Sequence, residues 1–112
     1  MTITIGGKEY TLYFGMDFID TLNHLYGFES EGIKLDMGGL QMLQSAMAIK
    51  DVIALRNIIK AATATLKSKP SNKDVDAYIM DRIIEEGIDT VYKEFSAEIK
   101  KQPFLNALMK SK

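Results

Sequence analysis

The apolar residues of this chain first recur every second position and then, from residue 16 onward, at helical spacing. The opening stretch, TITIGGKEYTLYF over residues 2–14, alternates cleanly. With Gly6-Gly7 as a two-residue turn, Ile5 falls opposite Lys8 and Ile3 opposite Tyr10. One face then carries Ile3, Ile5, Tyr10, Leu12 and Phe14, and the other Thr2, Thr4, Glu9, Thr11 and Tyr13. A slip of one residue would destroy that sorting, so the register is strongly specified.

The remainder predicts helices. Asp17 is placed to cap a first helix ending near Tyr26, with Phe18, Ile19, Leu22, Leu25 and Tyr26 on one stripe and Gly27 as the stop. The segment FESEGIKLDMGG, residues 28–39, has no helical period and reads as a loop, with a short extended piece at Ile33–Leu35. A second helix is expected over residues 39–49, with Leu40, Leu43, Ala46 and Met47 inward. Asp51 can cap a third, whose stripe is Val52, Leu55, Ile58, Ile59 and Ala62. Whether these are two helices or one bent helix stays open, because Lys50-Asp51 is the sole break. Pro70 ends the third helix, and Ser71 with Asp74 three residues on has the form of a capping box. The fourth helix carries Val75, Tyr78, Ile79 and Ile83 and stops at Gly87; Asp89 opens a fifth with Val91, Tyr92, Phe95 and Ile99. Pro103 interrupts again before a short amphipathic end, FLNALMKSK. The expected architecture is α+β, mainly α: one domain over 1–112, with a β-hairpin (1–15) packed on a bundle of about five short helices (16–112).

Composition sharpens this mostly by exclusion. The chain has 112 residues and is 46% hydrophobic, enough for one core without disulfide or metal support. It has no cysteine, so disulfides, thiolate metal sites and cysteine nucleophiles have no material. His24 is the single histidine, which removes catalytic triads and two-histidine metal sites and leaves a structural or surface role for it. The pairs Glu85-Glu86 and Asp74/Asp76 point different ways on a helix. No phosphate-cradling loop is present, since neither Gly-Gly pair precedes a Lys-Ser/Thr. The reading is therefore not an enzyme, with no cofactor and no metal. A net charge of −1 argues against nucleic acid as a partner. No apolar run reaches the length of a membrane span and no signal-peptide pattern opens the chain, so neither membrane nor export is expected.

Three features concern surfaces. The charge is uneven: Asp81 to Glu98 is rich in acids, whereas Lys100, Lys101, Lys110 and Lys112 follow with no acid among them. That pattern suits either the dipole of a terminal helix or a basic docking tail. Seven methionines are many for this length, and Met37, Met42 and Met47 lie close together. Five-residue spacing spreads them around a helix, so they serve either as core filler or as an adaptable contact surface. Finally, Thr2, Thr4 and Thr11 do little to guard the edges of a two-stranded hairpin.

Four stretches resemble the small tail assembly chaperones of long-tailed phages, especially those infecting Gram-positive bacteria. ITIGGKEYTLYFG is similar to their opening hairpin, and FIDTLNHLYG to the helix that follows. IIKAATATLKSKPSNKDVDAYI resembles their helix, Pro-Ser cap and next helix, and EIKKQPF their late Lys-Lys-x-Pro-Phe stretch. Residues 28–39 match that pattern least. The resemblance implies a non-enzymatic factor that binds the tape measure protein, keeps it soluble and promotes polymerisation of the tail tube protein around it. It would act in the host cytoplasm and be absent from the mature virion. The partner-binding residues expected on this basis are Tyr13, Met37, Met42, Phe104, Leu105, Leu108 and Met109, with possible self-association through the hairpin edge. A structural virion component such as a tail-completion protein is the alternative, and a small DNA-binding regulator a third that the charge balance disfavours.

Overall fold

The computed structural model describes residues 1–110. Strands β1 (Thr2–Ile5) and β2 (Lys8–Thr11) pair antiparallel in the expected register, Ile3 opposite Tyr10 and Ile5 opposite Lys8. Gly6 and Gly7 both take positive φ (56° and 81°), as a tight primed turn requires. All five residues of the apolar face are buried. Phe14 meets Phe18 edge-to-face at 5.2 Å, and the Tyr13 N–H donates to the Ala62 carbonyl, so the hairpin closes one side of the helical core.

Six helices follow: α1 (Met16–Leu25), α2 (Gly39–Ala48), α3 (Val52–Ala62), α4 (Asn72–Glu86), α5 (Ile88–Lys100) and α6 (Pro103–Lys110). The short amphipathic end, as far as Lys110, is thus a sixth helix, with Pro103 as its first residue, where a missing N–H costs nothing; Ser111 and Lys112 lie outside the described residues. Between α1 and α2 the expected loop contains a second hairpin, β3 (Phe28–Ser30) with β4 (Ile33–Leu35). The extended piece at Ile33–Leu35 is present, and its partner strand is the part that sequence reading left out. Its turn places Glu31 and Gly32 at positive φ (51° and 79°). Glutamate is an uncommon choice there, so the turn carries little signal in the sequence.

Several helix ends differ from expectation. Gly15, not Asp17, is the N-cap of α1; Asp17 lies inside the first turn, where its charge favours the helix dipole. Asp51 does occupy the N-cap of α3, but its side chain makes no capping bond; its carbonyl instead accepts the Tyr92 hydroxyl. Gly27 is not a left-handed stop. A Cβ there would sit 2.5 Å from the Leu35 carbonyl oxygen, so glycine lets β4 approach the end of α1. Gly87 caps α5, and Asp89 falls in that helix's first turn. Ser71 does cap α4: the Asp74 N–H donates to its Oγ at 3.1 Å.

Helices α2 and α3 are separate. The Lys50 N–H donates to Met47 O and the Asp51 N–H to Ala46 O, with Lys50 at φ 54°. This is the paired bonding of a Schellman stop, built on lysine where glycine is usual.

The core is one cluster drawn from the first hairpin and all six helices. Helix α1 packs on α2 and α3, α4 on α3 and α5, and α6 on α5 and α2. Arg82 bolts α4 to α5. Its guanidinium donates to Glu86, to Glu94 (Nη2–Oε2 2.8 Å) and to the Tyr78 hydroxyl (2.9 Å), and lies over the Tyr78 ring. These bonds hold the Arg82 pKa well above its ordinary value and the Glu86 pKa below.

Candidate partner-binding surface

The residues expected to meet a partner do not gather in one place. Tyr13 is exposed at the exit of the first hairpin, beside exposed Met16 at the start of α1. Met37 is exposed in the lead into α2, its N–H donating to Asn23 O, and Met42 is exposed on α2 itself. On α6, Phe104 and Leu108 form an exposed row one turn apart. Leu105 is a correction: it is fully buried and serves the monomer core, and half-buried Met109 packs against that core one turn on. The helical phase of α6 divides the four residues into an outer and an inner row. His24 is exposed, with Nδ1 2.9 Å from an Asp36 carboxylate oxygen.

Two further apolar surfaces escaped sequence reading. The first is the β3–β4 arm. Residues paired across antiparallel strands share a face, so Phe28, Leu35 and Ile33 lie on one side, and Glu29 and Lys34 on the other. The apolar side is open, with Phe28 51% and Ile33 62% exposed. The hidden signal was alternation across Phe28–Leu35, masked by the unconventional Glu31-Gly32 turn.

The second surface lies between α3 and α4. Val52, Ile53, Ile79 and Met80 line a groove of about 240 Å³, which also takes in Arg56 and Asp76. The Arg56–Asp76 pair is bidentate, at 2.6 and 2.8 Å. Those hydrogen bonds hold the Asp76 carboxyl below the ordinary carboxylate range. Val52 was expected inward, but it begins α3 and stays exposed. Met80 is 56% exposed, and Ile84, one turn further along α4, is 81% exposed.

The family model of the phage tail assembly chaperone proteins matches residues 2–112. The chain belongs to that family. The match runs through both hairpins and all six helices, including residues 28–39, where the resemblance by pattern was thinnest. Neither a curated protein nor a solved structure matches it. A tail assembly chaperone has tail proteins as its partners, and the surfaces above are what this chaperone can offer them. They are apolar, shallow and dispersed over the molecule. Among the described residues, no group of three or more His, Cys, Asp or Glu side chains is placed to hold a metal, and no helix is long and apolar enough to cross a membrane.

Proposed function

We propose that this protein is a non-enzymatic chaperone that binds the tape measure protein, keeps it soluble in the host cytoplasm and promotes polymerisation of the tail tube protein around it, leaving before the virion matures. The observation that carries the reading is apolar surface left over after the core is complete. Phe28, Ile33, Met42, Ile53, Met80, Phe104 and Leu108 are exposed on a molecule that already has one contiguous buried core. A long helical client exposes apolar stripes until its tube encloses it, and such stripes aggregate. Shallow, methionine-containing contacts suit many unlike segments of such a client, and several copies along one chain multiply weak binding into useful retention. Each contact stays weak enough to be displaced by tube subunits. An unguarded edge of the first hairpin is available for pairing with another copy or with a tail subunit.

Co-expression with the tape measure protein of the same phage tests this. The expected result is a soluble tape measure protein that co-purifies with the chaperone. An insoluble tape measure protein that never associates with it overturns the reading. Recovery of this chain from purified virions would do the same, in favour of a structural tail component.

A further inference from the structure

The exposed face of α4 is chemically divided. At 100° per residue, Met80, Ile84 and Ala77 form an outward row, with Lys73 one turn before Ala77. The Met80 edge of that row adjoins the groove toward α3. On its other side stand Asp81 and Glu85, which converge with Asp74 on a shallow cleft beside Thr4 and Gly6 of the first hairpin. Asp74, Asp81 and Glu85 are exposed, and none of them forms an ion pair among the described residues. Of the nearby cations, Arg56 is taken by Asp76 and Arg82 by Glu86 and Glu94, while exposed Lys73 at the start of the row forms no ion pair among the described residues, so the free acids outnumber the free lysine. The apolar groove and an acid-rich cleft therefore lie on opposite sides of one exposed apolar row of α4.

A partner fitting both parts needs an apolar stripe narrow enough for the groove and positive charge beside it. Lysine and arginine supply that charge on stems long enough to reach past the apolar row. We propose that the α3–α4 groove, walled by Val52, Ile53, Ile79 and Met80, together with the Met80–Ile84 row that separates it from Asp81 and Glu85, docks an amphipathic helix of a tail protein whose apolar stripe is flanked by lysines or arginines. This deepens the function proposed above and rests on it. The apolar contacts hold the helix. The carboxylates select its charge pattern and turn away acidic helices, since like-charge juxtaposition penalises the wrong partner.

The test titrates the full chain, followed by amide NMR, with two synthetic helices of about 18 residues, roughly 27 Å long. They share one leucine stripe and differ in flanking lysines or glutamates. The lysine-flanked peptide is expected to move the signals of Val52, Ile53, Arg56 and Met80, and to bind more weakly as salt rises from about 50 to 300 mM. The glutamate-flanked peptide is expected to bind about tenfold more weakly or worse. Met80→Glu, at an exposed position and expected to leave the fold intact by circular dichroism, should weaken the lysine-flanked peptide by about tenfold. The double variant Asp81→Lys, Glu85→Lys should invert the preference. Equal binding of both peptides overturns the proposal, as do shifts confined to the β3–β4 arm or α6. So do α3–α4 signals that move on dilution of the protein alone, because a second copy would then occupy the groove. No tail protein enters this titration. Its failure leaves co-purification of the tape measure protein untouched, and failed co-purification leaves the measured charge preference standing.

Discussion

Replacing Gly39 with alanine is expected to loosen the contact between α1 and α2. Gly39 is buried at the first residue of α2, and its N–H donates to Asn23 Oδ1 at 2.7 Å. A Cβ at this position would lie 2.4 Å from the Leu22 carbonyl carbon, 2.6 Å from its oxygen and 2.7 Å from the Asn23 nitrogen. All three are backbone atoms of a packed helix, so no side chain can swing aside. Helix propensity alone would favour alanine by up to about 1 kcal/mol. Overpacking costs about 1–3 kcal/mol, and with backbone on both sides the upper end applies. Moving α2 outward would also stretch the Asn23 bond, at about 1 kcal/mol. The net is a loss of about 3 kcal/mol, or roughly 12–18 °C in melting temperature for a domain of this size. Gly38→Ala is the control, because its Cβ meets only the movable end of Gln41 and should lower the melting temperature by less than half as much. Thermal melts followed by circular dichroism measure both. Gly39→Ala melting at or above the wild-type temperature would refute the close-approach reasoning.

Lys50→Gly should raise the melting temperature by a few degrees, because glycine relieves about 1 kcal/mol of left-handed strain at the Schellman position. The exposed Lys50–Asp89 pair lost with it is worth less than that. Ser71→Ala should cost about 1 kcal/mol through loss of the α4 cap, and Ser71→Asp should largely restore it; an unchanged alanine melt contradicts the cap. Leu12→Asp puts a charge into the buried face of the first hairpin and should leave no cooperative melt, whereas a folded product would show that face to be dispensable. The carboxyls of Asp76 and Glu86 are held below the ordinary range by Arg56 and Arg82, so their contribution is complete above that range and is lost as pH falls through the lowered values. Acid titration of Asp76→Asn, Glu86→Gln should accordingly give a flatter fall in stability below about pH 4 than wild type.

What the sequence made legible follows from where its signals are local. The first hairpin could be read to the residue because a Gly-Gly turn and strict alternation agree on one register. The α4 cap and the stops at Gly87 and Pro103 were equally plain, being made by residues that act on their own backbone. Two features were obscured for one shared reason, a non-glycine residue at positive φ. Lys50 conceals the stop between α2 and α3, and Glu31 conceals the turn of the second hairpin. The surface was less legible than the fold. Leu105 and Phe104 are adjacent and equally apolar, yet α6 packing buries one and exposes the other. Val52 fits the inward stripe of α3 by phase and is exposed because nothing covers that first turn. Periodicity assigns a residue to a face; only the arrangement of neighbours decides whether the face is covered.

The two hairpins show how this fold separates stability from stickiness. They share length class, antiparallel pairing and a tight turn, yet one has its apolar face sealed and the other open. Burying a side chain such as Ile5 or Leu12 contributes about 1.5–3 kcal/mol, so the first hairpin belongs to the cooperative core. An isolated two-stranded hairpin is marginal in water, so the second must be held by its attachment. That attachment is built at the end of α1: glycine at position 27 admits β4 against it, Asn23 O accepts the Met37 N–H, and Asn23 Oδ1 fixes the start of α2. The arm's apolar face therefore contributes little to folding and is free to be covered and uncovered. The same holds for Met80 and Ile84 on α4, outside the Val75–Ile79 row that packs inward. Ile33→Ser is then expected to leave the melting temperature within about 2–3 °C of wild type while reducing tape measure retention in co-expression, since an exposed substitution seldom moves stability by more than about 0.5 kcal/mol. A large drop in melting temperature would mean that the arm is part of the core after all, and binding and folding could not then be separated in the way a releasable chaperone requires.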